Sequence, residues 1–140
     1  MSYSLPSQGS NLVPVRKAKE MIAIYSANKN NILASEYRDS EILATSETFN
    51  ADDVRLLLSQ PDCVGFRVLY GMDSELKVHS ILVGVDGNGN DIVIKNLESG
   101  VKEEEGYVIE DANRCPPSCL KISLRIQQNE GKHIYIFNFC

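Results

Sequence analysis

Two consecutive prolines set between cysteines, Cys115-Pro116-Pro117-Ser118-Cys119, constrain this chain more than any other stretch. Neither proline carries an amide hydrogen and both hold φ at about −65°, so the segment is neither helix interior nor central strand. It reads as a rigid loop that holds two thiols at a set separation. Loops of that kind bind metals, form disulfides or simply turn corners, and the five residues alone leave all three open.

The patterning around this loop predicts an α+β fold. Pro14 suits the start of a helix, and Val15, Ala18, Ile22 and Tyr25 follow at three- and four-residue spacing, predicting a helix over about 14–29. The residues before it carry no periodicity, so 1–12 read as a loose tail and 13–140 as a single domain. Asn50 is a good N-cap, Asp52 and Asp53 place negative charge in the first turn, and Phe49 and Val54 have the spacing of a hydrophobic staple. A second helix is therefore expected over 51–60, stopped by Pro61. From Cys63 onward the period falls to two. Val64, Phe66, Val68 and Tyr70 share one strand face, and His79, Ile81, Val83 and Val85 share another. Further strands are expected at 92–94, 107–109, 120–127 and 133–140, and Ile42-Leu43-Ala44-Thr45 suits a short edge strand. Helices first and strands after imply two helices on one antiparallel sheet of five or six strands.

Composition narrows the class of partner. The 140 residues carry a net charge of −5, with the acidic excess spread along the whole chain, so the basic surface that nucleic acid requires is missing. Arg16, Lys17 and Lys19 read as the solvated side of the first helix, and Glu103-Glu104-Glu105 as an exposed turn. No apolar run approaches the roughly 20 residues that span a bilayer. Met1-Ser2-Tyr3-Ser4-Leu5-Pro6 has neither a basic nor an apolar signal region, so the expectation is a cytoplasmic protein with reduced thiols.

Residues that could carry chemistry are few. Asp86-Gly87-Asn88-Gly89-Asn90-Asp91 begins like a calcium loop, but its sixth position is Asp91 rather than glycine and its twelfth is Leu97 rather than Glu, so a plain hairpin turn is expected. There is no phosphate-binding Gly-rich loop followed by Lys, no G-x-S-x-G elbow and no HExxH. His79 reads as a rim residue of an apolar sheet face and His133 as the end of a hairpin. The four cysteines admit three readings. Cys115 and Cys119 form a redox pair, though with one residue more between them than the thioredoxin spacing. Alternatively they ligate zinc, with two further ligands drawn from Cys63, Cys140, His79 and His133. In the third reading they are small buried hydrophobes that shape a loop.

Taken together, Leu56 to Arg67, the Val83-Gly84-Val85-Asp86 strand running into Gly89-Asn90-Asp91, and the Cys-Pro-Pro-Ser-Cys loop resemble a family of short, uncharacterised proteins from Bacteroidetes over residues 49–119. That resemblance brings no activity, cofactor or partner. It implies that Cys63, Cys115 and Cys119 form a set, and hence a candidate zinc or thiol–disulfide site on those three. The expectation is that the prolines fold Cys115 and Cys119 back on each other and that at least one of them approaches Cys63. Without a catalytic constellation, the reading that best fits the sequence is a non-catalytic binding module that meets a protein partner, or itself, through an edge-rich sheet.

Overall fold

The computed structural model describes residues 3–95 and 105–120. Within them, helix α1 (Val15–Asn28) is followed by a single 3-10 turn at Ser35–Tyr37, strand β1 (Ser46–Thr48) and helix α2 (Ala51–Leu58). Strands β2 (Gly65–Met72), β3 (Val78–Val85), β4 (Asp91–Ile92) and β5 (Asn113–Cys115) complete the order. The α+β class holds, with every strand pairing antiparallel. The strands divide into two small sheets instead of joining one: β2-β3-β4, and β1-β5. The strands expected at 120–127 and 133–140 lie outside the described residues.

Local chemistry sets the elements as the sequence implies. The Asn50 side chain accepts the Asp52 amide at 2.7 Å, capping α2, and Phe49 and Val54 both pack against the core at its start. Helix α1 is held differently. None of its residues is fully buried, and its grip on the body is polar: Tyr25 Oη donates to the Ala44 carbonyl at 2.6 Å and Lys29 Nζ to Thr45 Oγ1 at 3.0 Å. The chain beside them, expected to be strand at 42–45, pairs only from Ser46 onward, because residues 43–45 spend their polar groups on α1 and on β5.

Strand β3 is the middle of the larger sheet. All eight of its residues pair with β2, from Gly65↔Val85 to Met72↔Val78, and its last two also meet β4. Ile109 bridges to Leu82 and Tyr107 to Ile94, so the strand expected at 107–109 is present as two isolated bridges. Leu57 from α2, Leu82, Ile94 and Ile109 form the buried core. The Asp86–Asp91 turn is the plain hairpin expected: Asp86 Oδ1 accepts the Asn88 and Asn90 amides at 2.8 and 2.9 Å, and Gly89 takes φ +87°, a value glycine adopts without steric cost. Its carboxylate is occupied by its own turn. No described helix is long and apolar enough to cross a membrane.

Leu57 is 0% exposed and its neighbour Leu58, about 100° further round the same helix, is 42% exposed. Truncating Leu57→Ala should lower the unfolding free energy by roughly 2–5 kcal/mol, whereas Leu58→Ala should cost well under about 1.5 kcal/mol. Urea unfolding of the two variants side by side checks the assignment of the core.

Candidate functional site

The densest polar centre is built from four separate segments. Arg114, on β5, is buried, and its Nη2 donates to the carbonyls of Glu41 at 2.8 Å, Ile42 at 2.9 Å and Val78 at 3.4 Å. Facing it is Glu47 of β1, whose Oε2 accepts the Ser80 amide at 2.8 Å. Arg114 Nε and Glu47 Oε1 stand 3.9 Å apart, close enough for charge attraction and too far for a hydrogen bond, and neither atom has a hydrogen-bond partner among the described residues. Tyr25 lies in the field of both charges. Burial pushes its phenol above the ordinary value, outweighing the opposing pull of Arg114, and keeps the hydroxyl a donor to Ala44.

His79 extends this centre toward solvent. Its Nε2 meets Asp73 Oδ2 at 2.9 Å, and its Nδ1 lies 3.3 Å from Glu110 Oε1 and 3.6 Å from Glu47 Oε1. One imidazole thus faces three carboxylates, at the edge of a 410 Å³ depression that Asp73, Glu110 and Asp111 also line. The hydrogen bond with His79 is the largest influence on Asp73. With the amides of Lys77 and Glu75 it holds that carboxyl below the usual carboxylate range. Nothing in the local sequence signals this cluster. Glu47 and Ser80 are 33 positions apart and Arg114 and Glu41 are 73 apart, so only the tertiary fold brings them together.

The cysteines answer the sequence expectations in two ways. Cys115 and Cys119 are joined in a disulfide with Cα atoms 4.7 Å apart, so the two prolines do turn the chain back on itself. Both peptide bonds ahead of the prolines are cis, and Ser118 donates its amide to the Arg114 carbonyl at 3.1 Å. The default expectation of reduced thiols therefore fails for this pair, and in this form neither sulfur is a thiolate able to ligate zinc. Cys63 does not join them. It is a free thiol two residues ahead of β2, its Sγ donating to the Gly65 carbonyl at 3.2 Å, and it packs where a Cβ on Gly84 would come within 3.1 Å. Arg114 reaches Val78 at the opposite end of β3, roughly 20 Å away along a strand that rises about 3.3 Å per residue. Ile109 bridges Leu82 and Arg114, five residues on, reaches the Val78 carbonyl, so the chain leading to Cys115 moves away from Gly84 and the expected approach of Cys63 to the pair is not made. Cys140 and His133 lie outside the described residues.

A second feature adjoins the polar centre. A groove of 510 Å³ runs between the sheet and the 43–49 segment, with Tyr25, Leu43, Phe49, Val68, Tyr70 and Leu82 among its walls. Strand β2, which contributes Val68 and Tyr70 to the groove, is an edge strand of its sheet, and among the described residues no strand pairs with its outer edge. The residues on the groove face of β2 remain open to water, Phe66 at 50% and Tyr70 at 79% exposure.

No family model, no curated protein and no solved structure matches this chain.

Two predictions follow from the charge network. Asp73 has a folded pKa below its unfolded value near 3.8, so its contribution to stability is full above that value and disappears as pH falls through the folded pKa. Asp73→Asn should therefore destabilise the protein most at neutral pH, and the difference from wild type should shrink as pH falls below 3.8. Thermal melts across that range read it directly. Arg114→Ala leaves Glu47 buried without its countercharge and should cost about 3–5 kcal/mol, measured by denaturant unfolding.

Proposed function

We propose that this chain is a non-catalytic protein-interaction module that takes up an extended segment of a partner protein along the open edge of β2. One observation carries the reading. Among the described residues, the eight-residue strand β2 has no partner on its outer edge, and it exposes Phe66, Val68, Tyr70 and Met72, with Val64 just before it, on a single face. Unpaired strand edges recruit another strand through main-chain hydrogen bonds, and pockets for alternate side chains supply specificity. The groove beside Val68 and Tyr70 provides such a pocket. Apolar exposure of this kind, contiguous along one strand, marks a contact surface more than scattered surface residues do.

The chemistry of the partner follows from the walls. Tyr25, Leu43 and Phe49 call for apolar or aromatic side chains at alternate positions of the incoming strand. The net charge of −5 and the absence of a basic cluster favour a protein segment over nucleic acid.

A displayed random-peptide library panned on the full chain tests this. Enriched sequences should alternate apolar and polar residues, and their affinity should fall at least tenfold on the double variant Phe66→Lys/Tyr70→Lys. Because both side chains are at least half exposed, the variant should keep its melting temperature within a few degrees. Peptides that bind the variant undiminished, or outward β2 amides already protected from exchange in the free monomer, contradict the reading. A concentration-dependent dimer abolished by the variant would assign the edge to a second copy instead of a foreign segment.

A further inference from the structure

We infer that the Cys115–Cys119 disulfide is a thiol-exchange site that latches one wall of the groove, so that its reduction by a dithiol loosens the 43–48 segment. The role of the latch in binding rests on the reading of the groove given above; the latch itself does not.

The two sulfurs are unequal. Cys115 is 6% exposed, whereas Cys119 stands in the open at the end of the loop. An incoming thiolate therefore reaches Cys119. It forms a new sulfur–sulfur bond to Cys119 while the Cys115–Cys119 bond breaks, and Cys115 departs as a thiolate that takes up a proton. The second thiol of the same dithiol then attacks its partner sulfur in the mixed disulfide and releases Cys119 as a thiol. Two electrons have passed to the protein, and the dithiol leaves as a disulfide.

The consequence is transmitted through backbone pairing. Cys115 is the last residue of β5 and pairs with Ser46, and its carbonyl accepts the Thr45 amide at 2.8 Å. The β1–β5 ladder is only three residue pairs long, and a two-stranded ladder of that length is not stable by itself. It is clamped at two points, by Arg114 on the carbonyls of 41, 42 and 78, and by the disulfide that closes the loop behind Cys115. Thr45, Ser46 and Glu47 line the groove, so the strand that the latch holds is also the groove wall. Strands β2 and β3 carry eight pairs of their own, and the described contacts of β3 with the latched region lie at its start, where Arg114 reaches the Val78 carbonyl, the Ile42 carbonyl accepts the Val78 amide and Glu47 accepts the Ser80 amide.

Hydrogen exchange followed by mass spectrometry on the full chain, with and without millimolar dithiothreitol, is the test, with alkylation and peptide mapping to confirm which sulfurs were reduced. The expected result is reduction of Cys115 and Cys119 in the folded protein and at least tenfold faster exchange of the Thr45–Thr48 amides, with β2 and residues 81–85 of β3 unchanged, since the Val78 and Ser80 amides bond to the 42–47 segment itself. Cys119→Ser should show the fast exchange without reductant, and Cys63→Ser should leave the response intact. Failure of the pair to reduce in the folded state overturns the inference. So does unchanged exchange at 45–48 after reduction, or equal acceleration across β2 and β3, which would be global loosening. Affinity for a library-derived peptide, measured in both redox states, separates the two proposals. A peptide that binds in neither state counts against the binding surface and leaves the latch standing, whereas unchanged exchange sinks the latch and leaves the surface.

Discussion

The guanidinium of Arg114 is the interaction on which the arrangement of this chain depends. A single nitrogen, Nη2, collects three carbonyls from two segments, Glu41 and Ile42 on one and Val78 on the other, and the opposite side of the group faces Glu47. Those contacts fasten β5 and the 41–47 segment to the first residue of β3, and thereby join the two-stranded sheet to the three-stranded one. A buried charge is costly unless it is paired and hydrogen-bonded, so the value of this arrangement lies in what happens if any part shifts. Moving β1 or β5 by one residue would strand both Arg114 and Glu47. The network therefore selects one register for a ladder too short to select its own.

The larger sheet is organised by burial. The second half of β3, from Leu82 to Val85, is buried on both faces, because β2 flanks it on one side, β4 and the Ile109 bridge on the other, and α2 delivers Leu57 onto it. The first half of β3 lacks that cover and carries His79 and Ser80, which the carboxylates of Asp73, Glu47 and Glu110 meet. The strand thus changes from apolar to polar support along its length. The groove opens where the two regimes meet, with Leu82 at one end and Ser80 and Val78 at the other.

What was legible in the sequence was what local patterns encode. The cap at Asn50, the staple of Phe49 and Val54, the two-residue period of 64–70 and the Asx-type turn at Asp86 all follow from neighbours within a few positions, and each stands where the pattern put it. The closure of Cys115 onto Cys119 was likewise local, set by two prolines in a five-residue span. What failed was long-range. The resemblance implies that Cys63 belongs with the pair, and the sequence expectation is that at least one of the two approaches it. Instead Cys63 sits beside Gly84, whereas Arg114, next to Cys115, reaches Val78 at the other end of β3. The Arg114–Glu47–His79 centre was not visible at all, since charged residues dozens of positions apart look like solvated surface until the fold brings them together.

The span of the disulfide also bears on what it can do. Cross-linking residues four apart in sequence removes little freedom from the unfolded chain, about 2 kcal/mol in the chain-entropy model, against nearer 4 kcal/mol for a bridge from Cys63 across some fifty residues. A bridge of the second kind would act as a global staple. The one present confines its effect to the loop and to the strand that ends in Cys115. That strand is paired at only three positions and depends on its clamps, so a small local constraint is large relative to what it holds. A local bond on a marginal ladder can change the shape of one surface without threatening the eight-pair hairpin that carries the core.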